Sequence, residues 1–160
     1  MKRITTISLL MVSFFAIAQQ QSIDQKVNDL LKKMTLEEKI GQLNQYTGDN
    51  AATGPITINA NKQAEIKAGI VGSMLNVVGT KYTRQYQELA MQSRLKIPLL
   101  FGQDVIHGYK TTFPIPLAEA ASWDLTAIEL AARVAATEAA ASGIHWTFAP
   151  MVDIGRDPRW

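Results

Sequence analysis

Asp104 and His107 stand three residues apart in the run Phe101-Gly102-Gln103-Asp104-Val105-Ile106-His107-Gly108, bracketed by two glycines. An ionised carboxylate only accepts hydrogen bonds, and its two oxygens can serve two neighbouring hydroxyls of a sugar. The same aspartate can instead satisfy backbone N–H groups of a local turn, and position alone favours that reading. His107 is open to use as a ligand, a base or a structural group. His107 and His145 are the only histidines, and neither is paired with acids at metal-ligand spacing. Structural use is therefore favoured for both, and no metal site is expected. A second group, Asp153, Arg156, Asp157 and Arg159, crowds the C-terminal end. Two carboxylates can cleave a glycosidic bond, one protonating the leaving group and one attacking or activating water. Here each acid has an arginine close by, which lowers its pKa and holds it ionised. That suits an ion-paired scaffold better than a general acid. Trp123 can stack on a sugar ring, but a core or helix-staple role is favoured. Ser93-Arg94-Leu95-Lys96 matches the S-x-x-K acyl-enzyme motif, yet its S-D-N and K-T-G partners are absent from the sequence. Walker, GxGxxG and GxSxG patterns are absent too.

The elements that must position these groups show a change of rhythm along the chain. Ser22 is placed to cap a helix through about Met34, with Ile23, Val27, Leu30 and Leu31 on one face. Thr35-Leu36-Glu37-Glu38 is a capping box opening a second helix, with Ile40 and Leu43 expected inward. Thr47 to Asn61 is rich in Gly, Asn and Thr and reads as a loop. Ile70–Val78, Pro98–Phe101 running on to Asp104, and Ile144–Val152 read as buried strands. They alternate with helices over Thr80–Ser93 and Asp124–Ser142, the second halted by Gly143. Thr111 to Pro116 reads as a rigid extended loop, for which packing beside a site is favoured over a proline-rich docking role. Strands without polar alternation, separated by helices, predict a parallel α/β sheet. A doubly wound sheet and a (β/α)8 barrel remain equally open, and both bind ligands at the carboxyl ends of their strands. That rule points to Asn76, Asp104 and the 149–153 stretch.

Composition narrows the class. Apolar residues make up 47% of the 160, enough for a core, so disorder is not expected for most of the chain. Lys2 and Arg3, the apolar run Ile7–Ile17 and Ala16-Ile17-Ala18 form the pattern of a secretory signal peptide over residues 1–18, cleaved near Ala18. The run is too short to cross a bilayer, so no stable membrane anchor is expected. Without Lys2 and Arg3, fourteen basic residues face fourteen acidic ones, which leaves no nucleic-acid footprint. The absence of cysteine excludes disulfides, thiolate zinc sites, a cysteine nucleophile and a lipoprotein anchor within this chain.

Taken in order, several segments resemble glycoside hydrolase family 3, and most of all its bacterial periplasmic β-glucosidases. Leu36-Glu37-Glu38-Lys39-Ile40-Gly41-Gln42-Leu43 is similar to the family's opening helix, and Gly72-Ser73-Met74-Leu75-Asn76-Val77 to its first barrel strand. The Phe101–Tyr109 run and Thr112-Phe113-Pro114-Ile115-Pro116-Leu117 resemble the second strand and its loop. Phe148–Asp153 and Arg156-Asp157-Pro158-Arg159-Trp160 resemble the third strand and the turn beyond. The resemblance implies that residues 19–160 are the N-terminal part, about three strand–helix units, of a (β/α)8 TIM-type barrel. It implies retaining hydrolysis of terminal non-reducing β-D-glucosyl residues, with an aspartate nucleophile and a glutamate acid/base that both lie beyond Trp160. An exo-β-xylosidase, a broad exo-β-glycosidase and a non-catalytic secreted sugar-binding remnant are the alternatives. Asp104 matches the family aspartate that hydrogen-bonds the terminal sugar, which reverses the reading from position alone. His107, Arg156, Asp157 and Arg159 match structural support for that subsite. Gln103 departs from the aromatic or aliphatic residues usual beside that aspartate. The expected partner is a β-glucoside or oligosaccharide, the expected location is the periplasm, and two-carboxylate cleavage needs no cofactor. Three strands cannot close a barrel, so the isolated chain is expected to be inactive and poorly folded.

Overall fold

The structure, a computed structural model, describes residues 22–48, 60–150 and 156–157. The signal-peptide segment, residues 151–153 and Arg159 lie outside the described residues. The chain forms two compact units, Met1–Lys33 and Met34–Trp160. The first contains helix α1, Ile23–Lys33. Ser22 caps it as the sequence predicts, and the cap is reciprocal: Ser22 Oγ accepts from the Gln25 amide at 3.2 Å and the Gln25 side chain accepts from the Ser22 amide at 3.0 Å. Asp24 at its start and Lys32 and Lys33 at its end complement the helix dipole.

The second unit is a four-stranded, wholly parallel sheet. Its strands are β1 (Gln45–Thr47), β2 (Ser73–Leu75), β3 (Leu100–Gln103) and β4 (Trp146–Thr147), lying side by side in chain order. The connections carry α3 (Lys62–Ala68), α4 (Thr80–Ala90), then α5 (Pro116–Ala121) and α6 (Leu125–Ala141). Helix α2 (Leu36–Gly41) precedes β1. The register sets Tyr46, Met74 and Phe101 in one row. Because strand side chains alternate, this row faces one side only. Met74 and Phe101 share a buried cluster with Ile66 of α3, Tyr86 and Ala90 of α4, and Ala139 of α6. Helices α3, α4 and α6 thus cover the same face. On the opposite face, Leu100 is 52% and Trp146 44% exposed. Strand order without a reversal, with the crossover helices α3, α4 and α6 on one side, is the singly wound arrangement of a (β/α)8 barrel rather than a doubly wound sheet.

Several local expectations need correction. There are four strands among the described residues, not three, because β1 precedes the strand read as first. Ile40 and Leu43 point outward, at 56% and 85% exposure. The six-residue α2 instead buries Glu38 and Gly41. Gly41 lies so close to the Ile70 backbone that a Cβ there would overlap it, so the small face of this helix is the packed one. The Thr35–Glu38 capping box is present as predicted. Trp123 is 89% exposed rather than buried. Pro116 does not end a loop but opens α5, where its missing N–H and fixed φ suit the first helical turn. Asp124 caps α6 by accepting from the Ala127 amide at 3.0 Å, and Gly143 ends it at φ 87°. No helix among the described residues is long and apolar enough to cross a membrane.

Candidate functional site

All four strands run the same way, so their carboxyl ends gather on one side of the sheet. Gly48, Asn76, Asp104 and Phe148 follow β1, β2, β3 and β4 there. Two non-glycine residues at this edge hold left-handed backbones: Asn76 at φ 58° and Val105 at φ 46°. For a β-branched valine this conformation is strained, and such strain persists only where surrounding contacts enforce it. Val105 immediately follows Asp104 and packs against the core cluster, as does Tyr109. The chain therefore leaves β3 at a fixed angle and leaves the Asp104 side chain exposed. The Asp104 backbone carbonyl accepts from Thr147 Oγ1 at 3.2 Å, tying it to β4. Gly102, one step inside, meets the Phe148 ring: a Cβ there would lie 3.2 Å from Phe148 Cε2.

The segment after Asp104 is a closed loop. The Phe113 amide donates to the His107 carbonyl at 2.8 Å, and His107 Nδ1 lies 3.2 Å from the Phe113 carbonyl. A proton on Nδ1 makes that second contact a hydrogen bond, so His107 acts as a clip within the loop. Gly108 turns the chain at φ 104°, with the Thr111 carbonyl where a side chain would begin. From α6, Glu138 reaches the same loop. One oxygen accepts from the Lys110 and Thr111 amides, both at 2.8 Å, and the other from Thr111 Oγ1 at 2.7 Å. The Thr111 hydroxyl, then the Thr111 amide, hold the Glu138 carboxyl below its usual range. Nothing local in the sequence pointed to this contact, since its partners lie 27 and 28 residues apart.

Arg156 and Asp157 are exposed, and Asp153 and Arg159 fall outside the described residues. His145 is structural: its Nδ1 accepts from the Phe101 amide at 3.3 Å and its ring lies 5.7 Å from that of Phe101. The S-x-x-K pair lies before β3, at the opposite end of the strand from Asp104, with Ser93 buried. Nearby, Arg94 donates to both Glu38 oxygens and holds that carboxyl below its usual range. A cavity of about 460 Å3 opens beside Gly48, Asn76, Tyr82 and Tyr86, but Asp104 does not line it. Asn76, Gln63 and Gln85 give this cavity polar groups at the carboxyl ends of β1 and β2, beside the β3 end that carries Asp104. Among the described residues no group of three or more acids and histidines is placed to hold a metal ion.

Comparison with known proteins agrees with this fold. Residues 35–160 match the glycosyl hydrolase family 3 N-terminal domain. A periplasmic β-glucosidase of Salmonella typhimurium is 49% identical over 138 residues, covering 86% of this chain and 17% of that protein. β-Glucosidase C of Emericella nidulans is 30% identical over 157 residues, covering 86% of this chain and 25% of that protein. The crystal structure of a Listeria innocua β-glucosidase with isofagomine superposes with a TM-score of 0.74 at 42% identity, covering 87% of this chain and 19% of that one. The same enzyme with glucose gives a TM-score of 0.72 at 40% identity, covering 87% and 20%. The chain thus spans about a fifth of the length of several of the relatives it matches. Its singly wound parallel sheet, its motifs in order and the match over residues 35–160 lead to one assignment: the chain belongs to glycoside hydrolase family 3.

Proposed function

We propose that this chain is the front part of a secreted, exo-acting β-glucosidase, which removes terminal non-reducing β-D-glucosyl residues with retention of configuration. In that reaction one carboxylate attacks the anomeric carbon and forms a glycosyl-enzyme. A second carboxyl protonates the leaving oxygen, then activates the water that releases the sugar. Neither role is assigned to a residue of this chain. Its own part is binding: Asp104 accepts hydrogen bonds from hydroxyls of the terminal sugar. His107 clips the loop beside it, and Arg156, Asp157 and Arg159 form the scaffold beneath. Export follows from the signal peptide over residues 1–18, and the Salmonella relative named periplasmic supports that destination. The observation that carries the reading is Asp104, exposed at the carboxyl end of β3, on the side where (β/α)8 enzymes act. A β-xylosidase is the weaker alternative, since a relative of that name is 29% identical against 49% for the β-glucosidase.

The test is made on the complete product of the gene that encodes this chain. It should hydrolyse p-nitrophenyl β-D-glucoside faster than the xyloside. Asp104→Ala should lower kcat/KM by about tenfold or more for each charge-assisted hydrogen bond lost. A wild-type protein without turnover, or an Asp104→Ala protein with unchanged kcat/KM, refutes the assignment.

A further inference from the structure

We infer that Glu138 is a positioning residue for the sugar-binding loop, acting through Lys110 and Thr111 on the placement of Asp104. The inference rests on the proposed role of Asp104. Glu138 lies on α6, a helix anchored to the core through Ala131, Ala135 and Ala139. Ala135 and Ala139 flank it three residues before and one residue after, so the side chain springs from a fixed base. Its carboxylate takes three hydrogen bonds from two consecutive residues of the loop, at 2.7–2.8 Å. Two neighbouring amides converging on one carboxylate oxygen, with the hydroxyl on the other, fix both distance and direction. Those donors belong to a loop already closed on itself by His107 and Phe113. Moving Lys110 and Thr111 therefore moves the whole loop, including the turn that leaves Asp104.

Val105 and Tyr109 hold the loop from the core side, and Glu138 holds it at residues 110–111. The three bonds are solvent-exposed. Water can replace them when Glu138 is removed, so global stability should change little. Loop position has no such substitute. Misplacement of a binding group by about 1 Å can lower activity by about two orders of magnitude. The effect should therefore appear in sugar affinity rather than in unfolding.

The experiment uses the complete gene product and compares Glu138→Ala, Glu138→Gln and, as a control on the same helix, Glu129→Gln. Glu129 pairs with Arg133 along the exposed helix surface. Glu138→Ala should raise KM and the glucose inhibition constant by about tenfold, leave kcat within about threefold, and speed amide hydrogen exchange in residues 105–113. Glu138→Gln keeps an amide oxygen for the two backbone donors and should recover most of the affinity. Unchanged KM in folded Glu138→Ala, in an enzyme where Asp104→Ala raises KM, overturns this inference alone. Equal loss of kcat and affinity with a collapsed melting transition, unrescued by glutamine, also overturns it and leaves Glu138 a structural residue. A wild-type protein that neither binds glucose nor cleaves a β-glucoside overturns the functional reading together with this inference.

Discussion

Gly108→Ala tests whether the loop after β3 sets the affinity of the site. Gly108 has φ 104°, and a Cβ there would fall onto the Thr111 carbonyl oxygen and within 3.1 Å of the Phe113 ring. Holding an L-residue in such a backbone region costs on the order of 1–3 kcal/mol. The overlap with Thr111 adds to that, because its oxygen belongs to backbone and cannot swing aside. The loop is partly exposed, so it can relieve the strain by moving rather than by unfolding the sheet. At about 1.4 kcal/mol per tenfold, the native loop arrangement falls about five- to 150-fold relative to displaced ones. KM for an aryl β-glucoside should rise by a factor in that range, with the melting temperature nearly unchanged. Gly143→Ala is the matched control. Gly143 sits at φ 87°, where a Cβ would come within 2.5 Å of Thr83 Oγ1, but it precedes β4 and so lies at the other end of the sheet. It should lower the melting temperature and leave KM alone. A Gly108→Ala protein with wild-type KM, or one in which both glycine variants alter KM equally, would show that the loop does not control the site.

Further expectations concern stability, the first three that of the same complete product. Met74 is fully buried at the centre of the helix-facing row, so Met74→Ala should lose about 2–5 kcal/mol in urea unfolding. Thr35→Ala removes the cap bond to the Glu38 amide and should cost about 0.5–2 kcal/mol by the same measurement. The Arg94 hydrogen bonds hold Glu38 below its ordinary value of 4.5, so its contribution is present in full above that pH and is lost as pH falls through the lower folded value. Glu38→Gln should therefore lower stability at pH 7 and flatten the acid limb below pH 4.5, as read by thermal melts across pH. The 160-residue chain expressed alone should show no cooperative melt, because Leu100 and Trp146 remain exposed on the uncovered sheet face.

The elements legible in the sequence are those whose signals are local. Asp124 and Gly143 bound α6 because a cap and a left-handed stop act within a turn of their own residues. The Thr35–Glu38 box marked α2 for the same reason. The inward face of α2 was not legible, because six residues give fewer than two turns of periodicity. Gly41, not an apolar side chain, makes its close contact. β1 escaped notice because Gln45-Tyr46-Thr47 is short and flanked by polar residues, and gains its identity only by pairing with β2. α5 was hidden by the prolines that start it. The same division runs through the site. The place of Asp104 at the end of β3 could be read from the strand pattern and its proposed role only from the family motif, whereas the Glu138 contact could not be read at all, because it depends on how α6 is laid against the loop.

The two ends of the sheet carry different groups, and this bears on the competing readings of the sequence. Ser93 and Lys96 lie ahead of β3, while Asp104 lies just past it. Four strand residues at about 3.3 Å each separate the two ends by about 13 Å. A serine and lysine there cannot act on a sugar held by Asp104. Glu38 and Arg94 form an ion pair, and Glu38, Arg94 and Gly143 precede β1, β3 and β4 respectively. In a (β/α)8 barrel that end fastens the fold, and the carboxyl end is left free to carry loops. The strained Val105, the His107 clip and the Glu138 clamp all fall at the carboxyl end, around one exposed carboxylate. A left-handed valine and a carboxylate taking three hydrogen bonds from the following loop thus flank Asp104, the residue proposed to bind the sugar.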